Sequence, residues 1–111
     1  MEIYFKTKRL AKICNNQKEA IKIHGAKMAA KLRQRMFELN AANSLKDISR
    51  LPPARCYQLS GNRNNQFSVD LEHPFRLLFI PANEPLPRLP DGGFDLEKIT
   101  QIEIIAIIDT H

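Results

Sequence analysis

The sequence has no tryptophan, only two cysteines and no hydrophobic run that approaches the length of a membrane span. Cys14 and Cys56 are far apart and belong to no Cys-x-x-Cys or Cys/His cluster, which argues against a zinc site and against a disulfide framework. Both are therefore expected to be reduced thiols. A bilayer requires roughly 20 apolar residues, and the N-terminus lacks a hydrophobic signal region. These absences predict a cytoplasmic protein with no contact with a membrane.

Glycine-rich phosphate loops are also missing, because the four glycines form neither a Walker nor a dinucleotide-binding motif. We therefore expect no small-molecule cofactor. The 111 residues contain no internal repeat, no low-complexity tract and no visible domain boundary. With 43% hydrophobic residues, the chain can bury one core. The prediction is a single domain over residues 1–111.

Positive charge is in excess: 17 Lys and Arg stand against 12 Asp and Glu, which gives a net charge of +5 and a pI near 9.5. A field of this sign favours a polyanion or an acidic protein partner. The charge balance does not distinguish between the two.

The first half of the chain is predicted to be mainly helical. Residues 2–6 favour a strand, and a short basic helix follows a cap at Thr7. From residue 17 to 42 the apolar positions recur every three or four residues, which predicts one amphipathic helix. Its core stripe consists of Ile21, Gly25, Met28, Leu32, Met36 and Leu39. The basic residues off this stripe form either a phosphate-facing ridge or a solvated face: Lys18, Lys22, Lys27, Lys31, Arg33 and Arg35. His24 among them is interpreted as a surface histidine.

The second half is predicted to be β-structure. Residues 55–59, 66–71 and 75–80 favour strands, with a polar turn at residues 60–65. A proline-rich connection over residues 81–98 ends in a helical turn, and it is expected to be functional or mobile. The final strand follows it. The element order therefore predicts an α+β fold, with an N-terminal strand and two helices packed on a mostly antiparallel sheet.

Polar groups stand out in the β-half. The final apolar run is typical of a rigid central strand, and Asp109, Thr110 and His111 follow it directly in the sequence. His111 is either positioned by that strand or a solvated terminal residue. Arg76 interrupts an apolar strand, and it either has a function or pairs with Glu103 or Asp70.

Several segments together resemble the HigB branch of the RelE/ParE toxin superfamily: residues 30–48, 57–63, 67–69 and 75–79. The resemblance depends on a Leu-x-Gly-x-Arg turn at Arg63, a hydrophobic-Arg-Leu-x-Phe strand at Arg76 and an Asp-x-His ending. It implies a RelE-like fold and a toxin that cuts mRNA on the translating ribosome. It also implies a cognate antitoxin, usually a HigA-like helix-turn-helix protein.

The resemblance further implies roles that suit metal-independent RNA cleavage. Such cleavage needs a base for the 2′-hydroxyl proton, cations for the phosphorane and an acid for the leaving oxygen. His111 would be the acid or base, and Asp109 would orient it or contribute directly. Arg63 and Arg76 would hold the scissile phosphate, although Arg63 could be an ordinary turn residue. The basic residues expected to bind RNA backbone are Lys8, Arg9, Lys12, Lys27 and Lys31.

Two positions depart from the family pattern. Tyr57 occupies a position where some HigB toxins have histidine, and Thr110 stands where some have tyrosine. Tyr57 could transfer a proton, stack on a base or pack in the sheet. Two other functions remain open: a ParE-like toxin that inhibits DNA gyrase without catalysis, and a degenerate relative that only binds RNA or the antitoxin.

Overall fold

A computed structural model describes residues 1–63 and 65–109, which form an α+β domain. Asn64, Thr110 and His111 lie outside the described residues. The described part contains three α-helices and five β-strands, in the order β1 (Glu2–Phe5), α1 (Lys8–Asn15), α2 (Gln17–His24), α3 (Ala26–Ala41), β2 (Tyr57–Gln58), β3 (Phe67–Asp70), β4 (Phe75–Pro81) and β5 (Gln101–Asp109).

The five strands form one sheet in the order β1-β5-β4-β3-β2. Only β1 and β5 run parallel, and the other pairs in the described chain are antiparallel. This confirms the predicted α+β class with a mostly antiparallel sheet. The apolar run of β5 is explained in part by its position, because residues 101–104 lie between β1 and β4. Residues 105–108 are half-buried, and in the described chain they have β4 as their only neighbouring strand.

The predicted helix over residues 17–42 is wrong in one respect, because the chain breaks at Gly25 into α2 and α3. Gly25 has φ +85°, a conformation that glycine adopts without steric strain. Its N–H donates to the Ile21 carbonyl at 2.8 Å and closes α2. The predicted start of α1 is confirmed, since the Thr7 hydroxyl accepts from the Leu10 N–H at 3.1 Å. The fold therefore has three helices where the sequence predicted two.

The predicted core stripe holds in α3, where Met28, Leu32, Met36 and Leu39 are buried. It fails in α2, because Ile21 remains 43% exposed.

Arg35 is the second correction, because it was assigned to the basic ridge and is instead 3% exposed. Its Nη1 donates to both Glu38 carboxylate oxygens, at 2.9 and 2.8 Å. Its Nε donates to the Asp70 carbonyl at 2.8 Å. A buried guanidinium requires such partners. Arg35 therefore joins α3 to the end of β3.

The predicted strand over residues 55–59 contains only the two residues of β2. Arg55 has φ +48°, and its N–H donates to the Leu51 carbonyl at 3.1 Å, so residues 51–55 form a turn. The predicted strands at β3, β4 and β5 are confirmed, as is a 3₁₀ turn over Leu96–Lys98.

The long connection between β4 and β5 is fastened to the core. Phe94 is buried, and its ring lies 5.8 Å from that of Phe67. The Asn83 side-chain oxygen accepts from the N–H groups of Thr100 and Gln101, both at 3.0 Å. These contacts fix both the middle and the base of the connection.

No helix in the described part of the chain is long and apolar enough to cross a membrane.

Both cysteines are free thiols, as predicted. Burial raises the pKa of Cys56 to about 11, an effect that the positive charge of Arg50 partly offsets. Burial also raises the pKa of Cys14 to about 12.

These shifts predict a loss of stability at alkaline pH. Because the Cys56 pKa is higher in the folded than in the unfolded state, its contribution is fully present below about pH 9 and is lost as the pH rises towards 11. The free energy of unfolding of the wild type should therefore fall by about 2 kcal/mol more than that of Cys56→Ala over this interval. Urea titrations from pH 8 to 11 measure the difference, and parallel curves for the two proteins would contradict it.

Candidate nucleic-acid interface

The sheet has two faces with different chemistry. Alternate residues of a strand point to opposite faces, and directly paired residues share a face. Leu77 and Phe79 of β4 are completely buried in the core beneath the helices. The opposite face, here called the outer face, carries Tyr57, Ser68, Asp70, Arg76, Leu78, Ala106 and Ile108.

Two arginines on this side share one carboxylate. The Arg76 Nε lies 3.4 Å from Asp70 Oδ1, and the Arg55 Nε lies 3.5 Å from Asp70 Oδ2. Of the two pairings that the sequence left open for Arg76, Asp70 is therefore the one observed; Glu103 lies opposite Ile80 instead. Because one carboxylate faces two guanidinium groups, the cluster keeps a net positive charge. Such a cluster can attract a phosphate.

Arg55 was missed at the sequence level, where it was interpreted as an ordinary strand residue. Its guanidinium carbon lies 5.9 Å from the centre of the Tyr57 ring. Tyr57 is 36% exposed and lies opposite Ser68. The Ser68 hydroxyl is fully buried and has no hydrogen-bond partner among residues 1–63 and 65–109. Because its ring is partly exposed and lies near Arg55, Tyr57 can contact a ligand beside the cationic cluster.

Asp109 ends β5 and lies directly opposite Phe75, whereas Arg76 lies opposite Ile108. Paired residues share a face. The Asp109 side chain therefore projects from the helix side of the sheet, and the Arg76 side chain projects from the outer face. The structure therefore brings these two predicted site residues to one end of the sheet, on opposite faces. His111 and Thr110 were predicted at this end and lie outside the described residues.

Arg63 is not brought beside Arg76. It ends a 3₁₀ turn between β2 and β3, and its Nη1 donates to the Gln66 side-chain oxygen at 3.1 Å. This turn is at the Phe67 end of β3, and Arg76 pairs with Asp70 at the other end. The ends of this four-residue strand are about 10 Å apart.

A groove lies beside the helices and reaches Phe75, the ladder partner of Asp109. It consists of three adjoining clefts, the first two joined at Glu72 and the last two joined at Ile23 and His24. We call it the helix-side groove. The central cleft has a volume of about 370 Å³, within the range of ligand-binding pockets. Its lining is formed by Ile23, His24, Met28, Glu72, His73 and Phe75.

Cationic side chains occupy both ends of the helix-side groove. Lys27 and Lys31 of α3 line the first cleft, and Arg9 of α1 lines the third. All three are exposed. Three of the five residues predicted to bind RNA therefore share one groove, which is also lined by residues 105–107 of β5.

The other two predicted RNA-binding residues are both in α1. Lys8 is exposed beside Arg9. Lys12 is exposed, and its Nζ lies 3.9 Å from a carboxylate oxygen of half-buried Glu19.

His24, His73 and Phe75 belong to the groove although sequence analysis gave none of them a function. His24 was interpreted as a surface histidine, and it is half-buried in the wall shared by two clefts. The signal that could have identified Phe75 is its neighbour Arg76, which marks the same end of β4.

No protein-family model and no curated protein matches this chain.

Proposed function

We propose that the protein is the toxin of a type II toxin–antitoxin system, with a RelE-like fold, that acts in the cytoplasm as a ribosome-dependent endoribonuclease on mRNA. The observation that carries the proposal is the helix-side groove. Exposed Lys27, Lys31 and Arg9 line it, and its central cleft includes Phe75, the ladder partner of Asp109. A polyanionic single strand fits a groove of this charge.

The proposed chemistry needs no metal ion. A base removes the proton of a 2′-hydroxyl, whose oxygen attacks the adjacent phosphorus; the bond to the 5′-oxygen breaks, and an acid protonates that oxygen. Arg76 would bind the phosphate through its paired N–H groups. Asp109 and His111 would handle the protons, as the family resemblance implies, and Tyr57 would assist from the outer face.

The charge of the protein also supports its proposed partners. Ribosome and mRNA are polyanions, and an acidic segment of a HigA-like antitoxin would complement the net charge of +5. Binding to either should weaken as the salt concentration rises.

Expression in bacteria tests the proposal. Induced wild type should arrest growth and produce new mRNA 5′ ends at a fixed position within codons, whereas soluble His111→Ala should do neither. The measurement is growth together with transcriptome-wide mapping of 5′ ends.

The same experiment separates the alternatives. Growth arrest by soluble His111→Ala, without new RNA ends, would overturn the nuclease and favour a ParE-like gyrase inhibitor. A wild type that causes no arrest and no cuts, yet binds RNA or antitoxin, would be the degenerate relative.

A further inference from the structure

Phe75 differs from the other aromatic residues of the sheet. It is the first residue of β4 and is 39% exposed, whereas Phe79, on the same face of the same strand, is completely buried. Its ladder partner is the exposed carboxylate Asp109 rather than an apolar residue. The apolar layer beneath the helices therefore ends in an accessible ring.

The surroundings of Phe75 suit a nucleic-acid base. The central cleft of the helix-side groove places the ring with His24 and His73. Imidazoles offer both donors and acceptors to the polar edge of a base, and the aromatic ring offers a stacking surface. Single-strand-binding proteins combine such stacking surfaces with cations that follow the backbone.

Another exposed aromatic residue provides a contrast. Phe37 of α3 is 68% exposed, and it lines a separate cleft together with Glu38 and Asp47. That cleft carries two carboxylates and no lysine or arginine among its described lining residues. The central cleft likewise has one carboxylate, Glu72, and no lysine or arginine in its described lining. Phe75 therefore differs from Phe37 through the two adjoining clefts, which carry Lys27, Lys31 and Arg9.

We propose that Phe75 is a stacking platform for a base of single-stranded RNA, with the adjoining phosphates bound by Lys27, Lys31 and Arg9. This inference rests on the proposed function in one respect, that RNA is the substrate. It assigns the substrate-binding path: the strand lies in the helix-side groove and turns around the end of the sheet.

The register of β4 supports this path. Phe75 and Arg76 are consecutive, so their side chains project from opposite faces at the same end of the sheet. An RNA strand that turned around this end of the sheet would pass from the Phe75 ring on one face to the Arg76 guanidinium on the other. The aromatic ring would select single strands, because a base in a duplex is already stacked.

Binding of a defined oligonucleotide tests the inference on the full chain. The probe is a 12-nucleotide single-stranded RNA with 2′-O-methyl groups, which block cleavage, and a central 2-aminopurine. Phe75→Leu should weaken binding about 10-fold and abolish quenching of the 2-aminopurine. Phe75→Tyr should retain both affinity and quenching, and Phe37→Leu is the matched control that should behave as wild type. Thermal unfolding verifies that each variant is folded.

Three results would overturn the inference: no RNA binding by folded wild type, wild-type binding by Phe75→Leu, or equal weakening by Phe37→Leu. The test is separable from that of the nuclease. RNA binding that depends on Phe75, without mRNA cleavage in cells, would contradict only the proposed nuclease activity. Cleavage in cells, with wild-type RNA binding by Phe75→Leu, would contradict only the proposed stacking role of Phe75.

Discussion

Replacing Arg76 with lysine should lower the rate of mRNA cleavage at least about 100-fold while the protein remains folded. Arg76 is largely enclosed, with its side chain 18% exposed, and Asp70 lies 3.4 Å from its Nε. Because Asp70 faces Nε, the terminal N–H groups of the guanidinium can bind a phosphate. Lysine keeps the charge but offers no planar fork, and loss of one oriented donor to a transition state typically lowers rates 100- to 1,000-fold.

The measurement is the initial rate of cleavage of a reporter mRNA in a translating extract, followed by primer extension. Arg33→Lys is the matched control, because Arg33 is exposed on α3 and contributes to neither the groove nor the outer-face cluster. Equal activity of Arg76→Lys and Arg33→Lys would remove Arg76 from the proposed mechanism.

Replacing Arg35 with methionine should lower the free energy of unfolding by about 3 kcal/mol. The substitution removes the cationic partner of the Glu38 carboxylate, whose side chain is only 28% exposed, and a donor to the Asp70 carbonyl. Glu38 would keep only the neutral Gln34 amide as a donor, and a partly buried charge without a counter-ion is the costly outcome. Urea unfolding at neutral pH measures the change.

Arg33→Met is again the control, and its effect should stay within about 0.5 kcal/mol because Arg33 is exposed. The double variant Arg35→Met with Glu38→Leu should recover part of the loss, since no charge then lacks a partner. An Arg35→Met protein as stable as the Arg33→Met control would show that the buried ion pair contributes nothing net.

The elements predicted best from sequence are those whose signal is local. The apolar runs of β4 and β5 and the cap at Thr7 each determine their own element, and the structure confirms them. The break at Gly25 was missed because the apolar periodicity continues through it. Whether glycine remains helical or adopts φ +85° depends on how α2 and α3 pack, and the periodicity carries no information about that.

Arg35 shows a second limit of sequence analysis. Position along a helix predicts which face a residue occupies, and arginine off the apolar stripe is normally solvated. Its burial depends on Glu38 one turn further on and on the Asp70 carbonyl, 35 residues away in the chain. The second partner exists only in the folded protein.

The candidate site was predictable in its residue types more than in its arrangement. Arg9, Lys27, Lys31, Arg76 and Asp109 were named from charge and resemblance, and the fold gathers them around one end of the sheet. The division between its two faces depends on strand register, which a single sequence does not fix. The pairing of Arg55 with Asp70 likewise follows from a turn that was predicted as strand.

The position of β5 between β1 and β4 sets an order of events during synthesis. Ile3 pairs with Ile102, nearly the whole chain later, so the first strand waits without its neighbour while α1 to α3 form from local contacts. In a nascent chain that has not reached residue 101, strand edges are exposed and the proposed site lacks β5. The proposed activity would therefore be absent until residues 101–109 have been synthesised and have paired with β1 and β4.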